Sequence, residues 1–267
     1  MDAPRLSRLV RKGVTFLSDE ARPGGVTLAF TERTGGVSTG QWASLNLGSR
    51  CGDDSEAVRA NRLRVLDALG VLDLADRMVC PRQVHGDRVL VAGSKGEGAL
   101  RDLRAKAEEG ADAIVCTTPG IPVLLCFADC LPVVLVAQGG FAVVHSGWRG
   151  TIARISARAM EVLCQETGSD PSQVNAYVGP HIAGPDYEVS QDLLDRFVGE
   201  FGPDVVAGQR RLDLAQAVRI ALQDAGADPS RILDSGVSTP RNLDRFYSYR
   251  AEQGACGRHG AVAVLSQ

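Results

Sequence analysis

Between residues 111 and 146 four apolar runs follow one another with only glycine, proline and short polar breaks between them. They are ADAIV (111–115), IPVLLCF (121–127), LPVVLVA (131–137) and GFAVVHS (140–146). Each is short, rich in β-branched residues and apolar at consecutive positions, which predicts strands buried on both faces. Gln138-Gly139-Gly140 reads as the hairpin turn between the last two. A further strand is expected at Val26 to Phe30, and shorter ones near 89–91, 174–178 and 260–265. Helices are predicted from Asp53-Asp54-Ser55 to about Leu69, across 152–168 with the stripe Ile152, Ile155, Ala159 and Val162, and at about 190–201 and 212–225. On the first of these Asn61 and Arg62 share a face with Val58, Val65 and Leu69 and so should point inward. An inward guanidinium needs a carboxylate, carbonyl oxygens or an anionic ligand. Periodicity therefore gives an α/β or α+β chain, and 267 residues are compatible with one domain over 1–267.

The chain carries a formal net charge of -3 with no basic stripe interleaved with aromatics, which argues against a nucleic-acid partner. The N-terminal MDAPRLSRLVRKGVTF lacks the apolar stretch of a signal peptide, and no segment approaches the roughly 20 apolar residues of a membrane span. A cytoplasmic protein with no membrane partner is expected. Its seven cysteines, at 51, 80, 116, 126, 130, 164 and 256, are odd in number and follow no framework spacing, so free thiols or metal ligation are favoured over disulfides.

His85 in PRQVHGD, Cys130 in the Ala-Asp-Cys-Leu-Pro break and His145 closing GFAVVH all fall at predicted strand ends, where a sheet can hold side chains at fixed angles. Two imidazoles and one thiolate suit Zn2+, and three protein ligands leave a fourth position for water or substrate. Asp129 is placed to orient a ligand histidine or to shuttle a proton. Gly147-Trp148-Arg149-Gly150 leads from the strand directly into a helix, a place where backbone N–H groups and Arg149 could meet an oxyanion. His181 in GPHI either lines the pocket or caps a loop.

The segments TERTGGVSTG, SLNLGSRCGDD with AVRANR, QVHG, ADAIVCTTPGIP, FADCLPV, HSGWRG, GPHIAGPDYEV and RFYSYRAEQGACGR occur in order. Through them nearly the whole chain resembles the multicopper polyphenol oxidase or laccase-domain family, also described as purine nucleoside phosphorylase and peptidoglycan editing factor. The resemblance implies an α+β fold, an α/β/β/α layered sandwich with mixed sheets like that of cysteine hydrolases, with metal ligands at His85, Cys130 and His145. It also implies phosphorolysis of adenosine, inosine and methylthioadenosine and deamination of adenosine, with a purine nucleoside and phosphate as small-molecule partners. Asp129, Arg62 and Arg149 are then the candidate catalytic residues. Asn46, Arg62, Arg149 and His181 are the candidate substrate contacts. The chain departs from the family pattern at Asp186 and Ser238, where cysteines are expected, at Ala251 after Tyr249-Arg250, and at Cys256.

The family name raises copper, but four histidines in all (85, 145, 181 and 259) cannot build a multicopper cluster in one subunit. Any oxidase activity would use copper in the same triad. Two other readings compete: a peptidoglycan-precursor hydrolase with Cys130 as thiol nucleophile, and a non-catalytic protein whose structural metal takes Asp129 or His181 as a fourth ligand.

Overall fold

The computed structural model describes residues 1–93 and 96–266. Thirteen strands are formed by the described residues: β1 (Ser7–Arg11), β2 (Val14–Ser18), β3 (Val26–Thr31), β4 (Val89–Ala92), β5 (Ala113–Cys116), β6 (Val123–Phe127), β7 (Leu131–Ala137), β8 (Gly140–Ser146), β9 (Asn175–Val178), β10 (Val206–Gly208), β11 (Arg211–Leu212), β12 (Ile232–Asp234) and β13 (His259–Leu265). The helices are α1 (Ser55–Ala68), α2 (Glu97–Glu109), α3 (Trp148–Ile152), α4 (Ile155–Thr167), α5 (Gln191–Phe201) and α6 (Leu214–Asp224).

Two sheets face each other. The first is antiparallel in the order β1-β2-β3-β13-β6, and the second is mixed in the order β12-β9-β7-β8-β5-β4, its outer pairs β12/β9 and β4/β5 being parallel. The four apolar runs become β5 to β8, with β7 and β8 on the expected residues and joined by a two-residue turn in which Gly139 supplies φ 83°.

Their unbroken hydrophobicity has a simple cause: both faces of the second sheet are covered. Along β7, Val133, Leu135 and Ala137 enter a core shared with α4, α5 and α6, whereas Val134 and Val136 enter the core between the sheets. The outer face of the first sheet, with Val14, Phe16, Ala29, Leu124 and Val262, is covered by Val65 and Ala68 of α1. The result is the α/β/β/α sandwich. Among the described residues no helix is long and apolar enough to cross a membrane.

Helix α1 starts at Asp54, whose carboxylate accepts from the Glu56 amide, and buries Val58, Asn61 and Val65 as its periodicity requires. Fully buried Asn61 is saturated: it accepts from Val37 N at 2.8 Å and donates to Ser38 Oγ, Asn46 O and Ser44 O. These bonds pin the glycine-rich 34–46 segment to the helix.

Two differences from the sequence-based assignment are informative. The helix expected across 152–168 is broken, because Arg154 adopts φ 55° and separates α3 from α4. Arg154 is held there by ion pairs to Glu200 at 2.6 Å and Asp224 at 2.8 Å, partners far away in sequence. Helix α2 carries only Leu100, Leu103 and Ala107 as buried residues in thirteen, too sparse a stripe to read from the sequence.

Candidate metal centre

The chain passes from one sheet to the other twice near the same corner. Val79 bridges Val123 of β6 in the first sheet, and ten residues later the chain enters β4 of the second. Strand β6 ends at Phe127 and β7 begins at Leu131, so the link Ala128-Asp129-Cys130 also spans the gap, helped by φ 85° at Asp129. His85 lies on the first crossing and Cys130 on the second, while His145 stands near the end of β8. Their ligand atoms all lie within 4.8 Å of one another. The two imidazole rings meet edge to face at 4.7 Å, and Phe127 backs His145 at 5.5 Å. His145 is buried, Cys130 half-buried and His85 exposed, so the cluster is approached from the His85 side.

Asp112, at the foot of β5, organises two of the three. Its Oδ1 lies 2.8 Å from His145 Nδ1 and accepts from the His85 amide at 3.0 Å, while Oδ2 accepts from the amides of Val84 and Gly86 at 3.2 and 2.8 Å. One fully buried carboxylate thus fixes the turn that presents His85, which has φ 58°, and engages His145 Nδ1, leaving Nε2 as the ligand atom. Burial disfavours its charge, but the bonds from His145, Gly86 and Val84 outweigh this and hold it below the ordinary carboxylate range. At Cys130 burial is likewise outweighed, here by His145 and His85, which bring the thiol down to about 6. At His145 the desolvation penalty is overcome by the Cys130 thiolate and Asp112, and the imidazole is pushed up to about 9.

Gly147 is the third positioning element. A Cβ there would stand 3.2 Å from His85 Cδ2, 3.5 Å from Cys130 Sγ and 3.6 Å from His145 Cε1, so the absent side chain is what lets the chain pass close over all three. The donor set of two imidazoles and a thiolate with an outer carboxylate suits a divalent d-block cation. No other group of three His, Cys, Asp or Glu side chains among the described residues could hold a metal.

The remaining sequence candidates are placed as follows. Asp129 does not orient a ligand histidine, since Asp112 does. The Asp129 carboxylate instead accepts from Thr239 Oγ1 at 2.6 Å and from the Arg250 amide at 2.7 Å, clasping the C-terminal loop to the corner. His181 is buried, with Nδ1 2.8 Å from Gly179 O of its own loop. Neither joins the cluster as a fourth ligand.

Asn46 is fully buried and consumed by backbone and side chain of its own loop and of the segment before β13, accepting from the amides of Gly48 and Arg258 and donating to Asp53. Arg62 does point inward, and carbonyl oxygen is what it finds: Nε and Nη2 donate to Leu47 O at 2.9 and 2.8 Å, with Cys80 Sγ at 3.5 Å. Arg149 is exposed, its guanidinium stacked 4.4 Å over Trp148. The fourth histidine, His259, is packed against Phe246 and Tyr247, and burial pushes it down to about 3, so it is neutral and apart from the cluster.

Sequence reasoning passed over Asp112 and Tyr187, and it read Gly147 as part of an oxyanion-binding turn rather than as the close approach to the three ligands. The Tyr187 phenol is pushed up to about 12 by burial and by the neighbouring Cys130 charge, and Arg250 sits 5.4 Å over its ring. The departures at Asp186 and Ser238 turn out to be one contact: Ser238 Oγ donates to Asp186 Oδ2 at 2.6 Å, and Arg241 Nε donates to Oδ1.

A family model described as multi-copper polyphenol oxidoreductase laccase matches residues 27–266. A protein of Deinococcus radiodurans named purine nucleoside phosphorylase is 38% identical over 245 residues, 89% of this chain and 88% of its own. A protein from an unknown prokaryotic organism named adenosine deaminase RL5 is 35% identical over 218 residues, 78% and 82% of the two chains. The crystal structure of YlmD from Geobacillus stearothermophilus superposes with a TM-score of 0.85 at 30% identity, covering 99% of this chain and 100% of that one.

Proposed function

The chain belongs to the multi-copper polyphenol oxidoreductase laccase family, and on that footing we propose that it is a zinc-dependent purine nucleoside phosphorylase with accompanying adenosine deaminase activity. The observation that carries this reading is the His85–Cys130–His145 cluster, with ligand atoms within 4.8 Å of one another and one open side. The names of the two relatives, one a purine nucleoside phosphorylase and one an adenosine deaminase, supply the substrate class. When bound, a zinc ion there supplies Lewis acidity and a charge toward which a nucleophile and a purine can be drawn.

The chain's own residues do the rest. Asp112 holds His145 in one tautomer and keeps the His85 turn from relaxing, so the ligands need no rearrangement. Arg149, exposed, steadied by Trp148 and two residues after Gly147, is assigned to hold the phosphate. In phosphorolysis a phosphate oxygen bonds to the ribose C1′ as the C–N glycosidic bond breaks, and the purine leaves with a proton. In deamination water adds at the purine ring carbon and ammonia departs. Tyr187, kept protonated, offers a hydroxyl that can donate to either leaving nitrogen. We assign Asp129, Asn46 and His181 to scaffolding of the site, and Arg62 to the layer behind it.

The test is metal analysis of untagged protein with adenosine turnover measured with and without phosphate, alongside Cys130→Ala. About one zinc per chain and phosphate-dependent adenine release, both lost in the variant, are expected. A second reading has a specific observation behind it: Cys130 at about 6 beside an imidazolium is also a nucleophile's environment. A thiol hydrolase would keep its activity in chelator and lose it to alkylation, the reverse of what the zinc reading expects.

A further inference from the structure

Strand β6 presents different chemistry on its two faces. Phe127 packs into the corner against His145, but Cys126, one residue earlier, faces the outer layer with Leu124 and α1. The segment after Val79 runs alongside this strand: Leu124 N donates to Val79 O at 2.9 Å, and the Gln83 amide clamps Cys126 from both sides, donating to its carbonyl at 2.8 Å and accepting from its N–H at 2.9 Å. This juxtaposition gathers the Cys80 and Cys126 thiols around a single Arg62–Leu47 bond, on the outer layer that both pack against. Arg62 Nη2 lies 3.5 Å from Cys80 Sγ, and Cys126 Sγ lies 3.4 Å from Leu47 O, the carbonyl that also receives Arg62. Both cysteines are half-buried rather than sealed.

We propose that Cys80 and Cys126 form a peroxide-oxidisable dithiol, with Cys80 the attacking thiolate and Cys126 the resolving thiol, set on the opposite face of β6 from the Phe127–His145 contact. The guanidinium serves as counter-charge to the Cys80 thiolate. The neighbouring Cys126 thiol, ahead of the attraction of Arg62 and Arg50, overcomes burial and brings Cys80 down to about 6, while Cys80 in turn holds Cys126 well above its ordinary value. Elsewhere burial raises the thiols of Cys116, Cys164 and Cys256. A guanidinium donating to Cys80 favours the thiolate there, and a carbonyl accepting from Cys126 favours the proton on the second sulfur, the division of labour that a two-step oxidation requires.

In the first step the Cys80 thiolate attacks one oxygen of a hydroperoxide. The O–O bond breaks, sulfur becomes a sulfenic acid, and the other oxygen leaves as water or alcohol after taking a proton. In the second, Cys126 sulfur attacks the sulfenic sulfur, the S–O bond breaks and water leaves with the Cys126 proton. Two electrons pass from the two sulfurs to the peroxide, and a dithiol reductant reverses the change.

The test is exposure of the protein as isolated to hydrogen peroxide, followed by tandem mass spectrometry without reduction. A Cys80–Cys126 link with loss of two hydrogen atoms, reversed by dithiothreitol, is the expected result. In Cys126→Ser the Cys80 sulfenic acid should persist and be trapped by dimedone, whereas in Cys80→Ser residue 126 should stay reduced. Iodoacetamide should label Cys80 at least about tenfold faster than Cys164 at neutral pH, with a midpoint near about 6. The wild-type measurements decide even where a variant does not fold. The proposal is overturned if Cys80 and Cys126 remain reduced while other thiols oxidise, if Cys126 links to Cys130 instead, or if Cys80 and Cys164 are labelled at equal rates.

Discussion

Cys130 and Cys80 are both held near about 6, yet they reach that value in unlike surroundings. Around Cys130 the compensating groups are two imidazoles, neutral donors once they give up a proton, and a carboxylate locks them in place. Around Cys80 they are a second thiol and a guanidinium, neither of which can bind a cation at neutral pH without losing its own role. A lowered thiol is therefore not one kind of site. What its neighbours can do after the proton leaves decides whether the sulfur ligates a metal or attacks.

The sharpest way to break this contrast is to exchange the losses. Cys130→Ala should reduce zinc affinity by more than the about 100-fold that marks the upper end for an outer hydrogen-bond partner. Cys80→Ser should leave zinc stoichiometry, measured by elemental analysis, unchanged. Equal loss in both variants would erase the distinction.

Next in size is Asp112→Asn. An amide oxygen can take either the Oδ1 partners, His145 Nδ1 and the His85 amide, or the Oδ2 partners, the Val84 and Gly86 amides, and its NH2 must then face the other pair. Zinc affinity by chelator competition should fall about 10- to 100-fold, with the fold retained by circular dichroism. An affinity within twofold of wild type would show that the carboxylate is not positioning the ligands.

The pH dependence follows in order. His145 is raised to about 9 and must lose its proton to ligate, so cation binding between about 6 and 9 should release one proton and tighten about tenfold per pH unit. Below about 6 Cys130 is protonated as well, so the release should approach two protons there and none above about 9. Calorimetry in buffers of different ionisation enthalpy would measure this, and a flat profile would contradict it. The smallest effect is expected for Gly147→Ala. Its methyl would meet His85 Cδ2 at 3.2 Å and displace it by a few tenths of an ångström, for about a threefold to tenfold loss of affinity. No change would mean that the His85 turn is looser than the Asp112 bonds imply.

The distinction between these two corners also marks how far the sequence can be read. Strands β7 and β8 are legible because an apolar run bounded by glycine and proline has few other uses, whereas the triad's spacing alone is a weak signal that gains weight from the family resemblance, which implies the same three ligands. Asp112 was hidden inside ADAIV, where it reads as a polar interruption at a strand start. Its meaning lies in amides 26 to 28 residues earlier and an imidazole 33 residues later, and no local pattern encodes that. Asn46 and Arg62 show the converse. Periodicity put Arg62 on the inward face, but whether its partner would be a ligand or the Leu47 carbonyl is decided by a loop whose path has no periodicity. The departures at Asp186 and Ser238 looked independent in the sequence and are one hydrogen-bonded pair in space.

Strand β7 divides its side chains between two cores, Val133, Leu135 and Ala137 to one and Val134 and Val136 to the other, and it begins one residue after Cys130. Its two ends therefore differ in their tolerance of length change. One residue inserted between Cys130 and Leu131 would either interchange the two sets of side chains or carry the thiol out of reach of both imidazoles, whereas an insertion at the exposed Gln138-Gly139 turn adds length where nothing is being counted.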